Sequence, residues 1–185
     1  MRGFSDKIQI MKIISIDPGY ERLGIAVLEK MEKPASAKGY GEAKEILVFS
    51  ECFKTSAKLP HHERLTLIGN RIKEIIKKYK PEALATEKLF FSGNQKTAML
   101  VAEARGVILY RASSLGLEVF EYTPNNVKIA ITGYGRSEKR QIISMVEKLI
   151  DVKKSPRGKP SGNSGKSDDE FDAIAIGLCH FATRR

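Results

Sequence analysis

Four acidic residues lie in three segments that are far apart in the sequence, and their types and spacing suit the binding of a divalent cation. They are Asp17, Glu87, Asp169 and Asp172. Asp17 ends a short apolar run, MKIISID, which predicts a strand buried on both faces of a sheet. Pro18 and Gly19 favour a tight turn, so Asp17 alone is explained as a turn residue. A functional role requires that the fold bring the other acids to the same sheet end.

Glu87 repeats the placement of Asp17. It directly follows Glu82–Thr86, which predicts a second short strand. Pro60 opens and Pro81 ends an intervening segment with apolar residues at helical spacing. If that helix is a crossover, the two strands run parallel and the two acids emerge at the same edge. Ligand sites in α/β sheets favour that edge.

The last predicted helix begins in an acidic cluster made of Asp168, Asp169, Glu170 and Asp172. Helix capping and the helix dipole explain one or two of these acids. Asp169 and Asp172 are three residues apart, so they lie on adjacent turns and can point at one spot. The fourth ligand could be Asp168, Asp169 or Glu170, and we choose Asp169 because it keeps the three-residue step.

Clustered carboxylates repel one another and are most simply kept ionised by a hard divalent cation such as Mg²⁺. Two such ions about 4 Å apart can activate water and stabilise the leaving oxygen of a phosphodiester. The chain has a formal net charge of +10 and a pI near 9.6, which favours polyanionic partners. A metal-dependent nuclease combines these features, although charge alone does not distinguish DNA, RNA and anionic lipid.

The remaining patterns predict one α/β domain with a five-stranded mixed sheet flanked by helices. Residues 1–10 form an N-terminal extension without an assigned role, and residues 11–185 form a single domain. Two polar stretches, near 32–44 and 153–167, are expected to be mobile insertions. Thr123 and Pro124 predict the start of a short helix that ends before Gly133, and Ser137 is expected to cap the next one.

Two groups of residues suit contact with nucleic acid. Phe90 and Phe91 lie in a polar loop beside Glu87; one is expected to join the core, and the other can act as an exposed wedge or stacking platform. A second group is basic and suits phosphate contact, although ordinary surface charge also explains it. Its members are Lys128, Arg136, Lys139 and Arg140.

A helix predicted from about Gln95 to Ser114 carries a ridge of small residues, Ala98, Ala102 and Gly106. The ridge can pack closely on the protein's own sheet or on a second copy of the chain, and periodicity does not decide between them.

Several other classes of protein are disfavoured. Cys52 and Cys179 lack metal-ligand spacing, which argues against zinc and favours a reducing compartment. No stretch approaches the roughly 20 apolar residues of a membrane span. A cytoplasmic protein without a membrane partner is the expectation.

Four ordered stretches resemble the successive conserved blocks of bacterial RuvC-type Holliday-junction resolvases, and the resemblance runs from about Met11 to the C-terminus. They are IISIDPGYERLGIAVLE, ATEKLFFSGNQKTAMLVAEARGVIL, TPNNVKIAITGYGRSEKRQIISMVEKLI and DDEFDAIAIGLCH. The resemblance implies an RNase H-like fold, a homodimer, and paired Mg²⁺- or Mn²⁺-dependent nicks in a four-way DNA junction during recombination and repair. It also suggests that a branch-migration motor delivers the junction.

The resemblance further implies that Asp17, Glu87, Asp169 and Asp172 bind two metal ions per active site. It assigns Phe90 to junction bases and places Lys128 and Lys139 near the scissile DNA. Three alternatives stay open. They are a related nuclease acting on RNA or RNA:DNA hybrids, a junction-binding module without catalysis, and a fragment of an actin-like ATPase.

Overall fold

The structure, a computed structural model, describes residues 9–32, 44–89, 95–152 and 166–184. Five strands and five helices occur in these ranges. In chain order they are β1 (Gln9–Asp17), β2 (Arg22–Glu32), β3 (Lys44–Lys54), α1 (His61–Tyr79), β4 (Ala83–Glu87), α2 (Gln95–Ser114), β5 (Glu118–Tyr122), α3 (Pro124–Thr132), α4 (Lys139–Leu149) and α5 (Asp168–Thr183).

The strands form one mixed sheet in the order β3-β2-β1-β4-β5. The first three strands are an antiparallel meander, while β4 runs parallel to both β1 and β5. Helix α1 connects β3 to β4, and the parallel pairing of β1 with β4 confirms the arrangement predicted from the sequence. The carboxyl ends of β1 and β4 therefore meet at one edge.

Strand β1 is buried on both faces, as its apolar sequence predicts. Ile14 and Ile16 belong to a core shared with α1 and α2, whereas Ile13 belongs to a core shared with α5. Helix α5 is buried along nearly its whole length from Phe171 to Phe181. A Cβ on Gly177 would lie 2.8 Å from the Ser15 hydroxyl, so α5 packs directly on the central strand.

Residues at the edges of the predicted N-terminal extension and of both predicted insertions belong to regular or buried structure. Gln9 and Ile10 pair with Glu32 and Met31, so they extend β1 and do not belong to a separate extension. Glu32 is part of this pairing because β2 continues past its apolar central residues to Glu32. At the other end of that insertion, Lys44 pairs with Met31 in the β2–β3 ladder.

The second insertion is also shorter than predicted, because Lys166 and Ser167 are buried rather than mobile. Ser167 caps α5 by accepting a hydrogen bond from the Glu170 amide. The rest of the predicted segments, residues 1–8, 33–43 and 153–165, lie outside the described residues.

The predicted caps of α3 are confirmed and that of α4 is wrong. Thr123 caps α3, and Gly133 ends it with a positive φ of 75°. Helix α4 is capped by Glu138, whose amide donates to the Gln141 side chain at 2.8 Å. Ser137 lies one residue before this N-cap, and its hydroxyl donates to the Tyr134 carbonyl at 2.7 Å.

The small-residue ridge of α2 is not the face that enters the core. Ala104, Ile108 and Ala112 are the fully buried residues of this helix, whereas Gly106 is exposed and a Cβ added to it would meet no atom within 4 Å. Packing of Gly106 on the protein's own sheet, the first of the two readings, is therefore wrong. Within the described ranges, no helix has both the length and the apolarity of a membrane span.

Candidate active site

Asp17 and Glu87 stand side by side at one edge of the sheet. Each is the last residue of its strand, and the parallel ladder pairs Ile16 with Thr86 one step before them. Side chains alternate between the two faces of a sheet along each strand. Asp17 therefore lies on the same face as Ser15, and Glu87 lies on the same face as Ala85. Both acids therefore face α5.

The first turn of α5 rests on a glycine in the neighbouring strand. Gly24 pairs with Asp17 on one side and with Cys52 on the other. A Cβ on Gly24 would lie 2.0 Å from the Asp169 carbonyl oxygen and 3.2 Å from the Asp17 Cβ. Because only glycine leaves room for this approach, Gly24 brings Asp169 next to Asp17.

Asp169 is held by two partners from the sheet. Arg22 donates from Nε at 2.9 Å and from Nη2 at 2.6 Å to Asp169 Oδ2, and the Cys52 thiol lies 3.4 Å from the same oxygen. Burial raises the pKa of Asp169, but the hydrogen bonds from Arg22 and Cys52 and the charge of Arg22 outweigh it. The pKa of Asp169 therefore lies below its usual value.

Asp172 forms a short ion pair with Lys139 of α4, which also lies 3.9 Å from Asp168. Burial raises the pKa of Asp172, and repulsion from Asp168 and Asp169 adds to it. These effects exceed the opposing effect of Lys139, so the pKa of Asp172 stays above its usual value. Burial lowers the pKa of Lys139, but the hydrogen bond and charge of Asp172 and the charges of Asp168 and Asp17 outweigh it, so the pKa of Lys139 lies above its usual value.

Asp17 is the electrostatic centre of the four acids. Its pKa is raised from 3.8 to about 7, first by burial and then by repulsion from Asp172, Glu87 and Asp169, with Lys139 acting in the opposite direction. Burial and Asp172 likewise raise the pKa of Glu87. The structure thus brings all four predicted acids into one interacting cluster.

The side chains of this cluster are arranged around protein cations in the structure. Within the described residues, no group of three or more His, Cys, Asp or Glu side chains is positioned to hold a metal ion. Asp169 and Asp172 are instead paired with Arg22 and Lys139. The donor set still fits a hard divalent cation, because three carboxylates repel the partly buried Asp17 and such a cation would relieve that repulsion.

A cleft of about 250 Å³ opens beside Glu87 and Asp172. Its other lining residues are Pro124, Val127, Lys128, Lys139, Ile142, Ala175 and Ile176. Two lysines and two acids thus line the cleft together with apolar side chains, an arrangement that can receive a phosphate next to the acid cluster.

The other predicted site residues that the structure describes do not line the cleft. Arg136 and Arg140 are exposed on the turn before α4 and on its first turn, and neither lines the cleft. Phe90 and Phe91 lie outside the described residues. Glu170 is buried, with one carboxylate oxygen bonded to Ser50 and the other to the Ser167 amide, which leaves Asp169 the better placed of the neighbouring acids.

Sequence reasoning missed Arg22 and Cys52, which contact Asp169, and it missed the buried contacts among Ser50, Lys166 and Glu170. Arg22 and its partner Asp169 are 147 residues apart, so no local pattern marks them. One signal was available: Gly24 lies in an otherwise apolar strand, and such a glycine often marks a close approach of another backbone.

Comparison with known proteins assigns the family. A family model described as crossover junction endodeoxyribonuclease RuvC matches residues 13–180. The chain belongs to the RuvC family. RuvC of Thermosipho melanesiensis is 41% identical over 169 residues, which cover 91% of this chain and 96% of that protein. RuvC of Halothermothrix orenii is 39% identical over 170 residues, 92% of each chain.

Solved structures agree with this membership. Thermus thermophilus RuvC in complex with a Holliday junction substrate matches with a TM-score of 0.76 and 32% identity, covering 95% of each chain. A yeast mitochondrial Holliday junction resolvase, Ydc2, matches with a TM-score of 0.63 at 10% identity and so shares the fold alone. The RuvC match confirms the predicted RNase H-like fold with its five-stranded mixed sheet.

Proposed function

We propose that this RuvC-family protein is a structure-selective endodeoxyribonuclease that resolves four-way DNA junctions by paired, metal-dependent nicks in recombination and repair. The observation that carries the proposal is the convergence of three acids around a fourth, the partly buried Asp17, directly beside a cleft lined by Lys128 and Lys139. Metal-binding groups and phosphate-binding groups thus occupy one edge of the sheet. The proposed place of action is the cytoplasm, which holds bacterial chromosomal DNA.

Asp17, Glu87, Asp169 and Asp172 are the proposed ligands of two Mg²⁺ ions per site, for which Mn²⁺ can substitute. Bound ions of this kind activate a water molecule and stabilise the leaving oxygen. The protein's own contribution is to orient the acids through Gly24 and Arg22.

Lys139 has a second task in this proposal. It neutralises Asp172 in the structure, and it also lines the cleft. A phosphate entering the cleft offers Lys139 another anion, and the carboxylate of Asp172 is then released for a metal ion. Lys128 contacts the same phosphate backbone, and the exposed Arg136 and Arg140 extend the basic surface along the DNA.

The proposed assembly is a homodimer formed through α2. Met99 and Tyr110 of this helix are 63% and 66% exposed, and the open face of Gly106 permits close approach of a second helix. A dimer presents two active sites, as paired nicks require. Phe90 is proposed to engage junction bases, and a branch-migration motor is proposed to deliver the junction. Both proposals rest on the family resemblance.

The test is cleavage of a mobile four-way junction with and without Mg²⁺, with the nicks mapped on all four strands. We expect symmetrical nicks in two strands of like polarity, and only with the metal. Duplex DNA and an RNA:DNA hybrid of matched sequence are cut in parallel. Faster cleavage of the hybrid would replace the proposal with a ribonuclease, and junction binding without any cleavage would replace it with a binding module.

Asp17→Asn is the matched variant for this assay because it preserves the size of the side chain and removes its charge. We expect loss of cleavage by at least 100-fold with junction binding retained, because the central ligand is lost while the basic surface is not. Undiminished cleavage by Asp17→Asn would contradict the metal assignment.

A further inference from the structure

A buried polar group lies at the start of α5, directly behind the acid cluster. It consists of Ser50 on β3, Lys166 just before α5 and Glu170 in its first turn. The Lys166 and Glu170 side chains are only 3% and 7% exposed, and their charged atoms are 3.6 Å apart. None of these residues lines the cleft or contacts Asp17.

The hydrogen bonds of this group run in one direction. Lys166 Nζ donates to Ser50 Oγ at 2.6 Å, and Ser50 Oγ donates to Glu170 Oε2 at 2.8 Å. The other oxygen, Glu170 Oε1, accepts from the Ser167 amide at 3.2 Å. The Ser50 hydroxyl therefore accepts from a cation and donates to an anion, and both oxygens of Glu170 are fixed.

The group is joined through the helix backbone to two proposed metal ligands. Glu170 follows Asp169 directly and precedes Asp172 by two residues. The carbonyl of Asp169 is also pressed onto Gly24, the partner of Asp17 in the sheet. A shift of the first turn of α5 along the sheet therefore changes the distances from Asp169 and Asp172 to Asp17.

Stability alone does not account for a buried ion pair at this point. Apolar side chains of similar volume are commonly as stabilising as a buried pair, because both charges lose their hydration. Apolar contact is also non-directional, whereas hydrogen bonds require particular lengths and angles. A directional link is what the start of α5 needs if its acids must be placed accurately.

We propose that Ser50, Lys166 and Glu170 form a positioning anchor that fixes the first turn of α5 on the sheet and so sets the spacing of the metal-binding acids. The three residues act through Asp169 and Asp172 and do not touch substrate. This inference rests on the proposed function, because it requires that Asp169 and Asp172 bind metal.

The test measures Mn²⁺ affinity directly, by calorimetry on the full chain without DNA. The variants are Ser50→Ala, Lys166→Met, Glu170→Gln and the double variant Lys166→Met with Glu170→Gln. Residues that support metal ligands typically change metal affinity by about 10- to 100-fold. We expect each single variant to weaken Mn²⁺ binding by about tenfold or more, because each breaks the link that Ser50 makes between the cation and the anion. The double variant should bind Mn²⁺ no more tightly than the single variants, because it removes both charges that Ser50 links.

Tyr122→Phe is the matched control. The Tyr122 hydroxyl is 2.8 Å from His180 Nδ1 and 3.4 Å from the Thr183 hydroxyl near the far end of α5. Its loss removes contacts at that end of the helix and keeps the backbone of Tyr122, which pairs with Glu87 in the sheet. The control should lower the melting temperature as Ser50→Ala does and leave Mn²⁺ affinity within twofold of wild type. Junction binding measured in Ca²⁺ should stay within twofold for every variant.

The inference is overturned if anchor variants melt earlier yet bind Mn²⁺ like wild type, or if Tyr122→Phe weakens Mn²⁺ binding equally. It is also overturned if the wild type binds no Mn²⁺. If the variants of Lys166 and Glu170 do not fold, the Mn²⁺ affinity of Ser50→Ala tests the inference, since this substitution removes one hydroxyl only. A wild type that binds Mn²⁺ but cuts no junction would reject the proposed function, whereas the anchor would still be judged by the affinities.

Discussion

Replacing Asp17 by Asn is expected to stabilise the metal-free protein. Asp17 is partly buried and surrounded by three other acids, and its pKa is raised from 3.8 to about 7. In the unfolded chain the carboxyl ionises freely, whereas folding without metal makes its ionisation unfavourable. An amide at this position carries no charge to desolvate or repel.

The size of the effect follows from the pKa. Each unit of pKa corresponds to about 1.4 kcal/mol, so a rise from 3.8 to about 7 corresponds to at most about 4 kcal/mol. Below pH 3.8 the acid is protonated in both states and has no effect. Between pH 3.8 and about 7 only the unfolded state releases the proton, so stability falls, and above pH 7 the whole loss is present.

The assay is urea unfolding in EDTA at several pH values from 3 to 8. Asp17→Asn should exceed wild type by about 2 to 4 kcal/mol at pH 8, and the difference should shrink steadily towards pH 4. Adding Mg²⁺ at pH 8 should stabilise the wild type and leave the variant nearly unchanged, because ligands that bind only the folded state add stability.

Glu82→Gln is the control, since Glu82 is an exposed acid at the opposite end of β4. Its effect should stay within about 0.5 kcal/mol at every pH. A metal-free Asp17→Asn protein that is no more stable than wild type at pH 8, or a difference that does not depend on pH, would refute the reasoning.

Three other predictions concern residues around the site and α5. His180 is fully buried and its pKa is lowered to about 4, mainly by burial; stability should fall by about 3 kcal/mol as the pH drops from 6.5 to 4, and His180→Gln should lack most of this dependence in urea unfolding. Gly24→Ala would place a Cβ 2.0 Å from the Asp169 carbonyl oxygen, so cleavage should fall by at least tenfold with junction binding retained; wild-type cleavage would contradict the close approach. Arg22→Gln should raise the pKa of Asp169, as followed by carbon-13 NMR in EDTA, and an unchanged pKa would show that Arg22 does not hold this acid.

The acid cluster could be predicted because strand parity and helix spacing are local properties. Asp17 and Glu87 each end an apolar strand, and the helix between those strands implied a parallel pairing that the sheet confirms. Asp169 and Asp172 are one helical turn apart. Each of these steps needs only a short window of sequence.

The contacts that hold the acids could not be predicted in this way. Lys166 follows a long polar stretch rich in Lys, Ser and Gly, and its burial is accompanied by contacts with Ser50 and Glu170, of which Ser50 is 116 residues away in the sequence. The cap of α4 shows the same limit on a smaller scale. Ser137 and Glu138 are neighbours, and the sequence alone does not show that Glu138 is the N-cap while the Ser137 hydroxyl donates to the Tyr134 carbonyl.

The position of α5 in the chain determines when the acid cluster can be complete. Two of the four acids lie on this last described helix, whereas Asp17 lies on the first described strand. Domains are synthesised and begin to fold from the N-terminus, so a growing chain presents Asp17 and Glu87 long before Asp169 and Asp172 exist. A nascent or truncated chain therefore carries only half of the acid cluster.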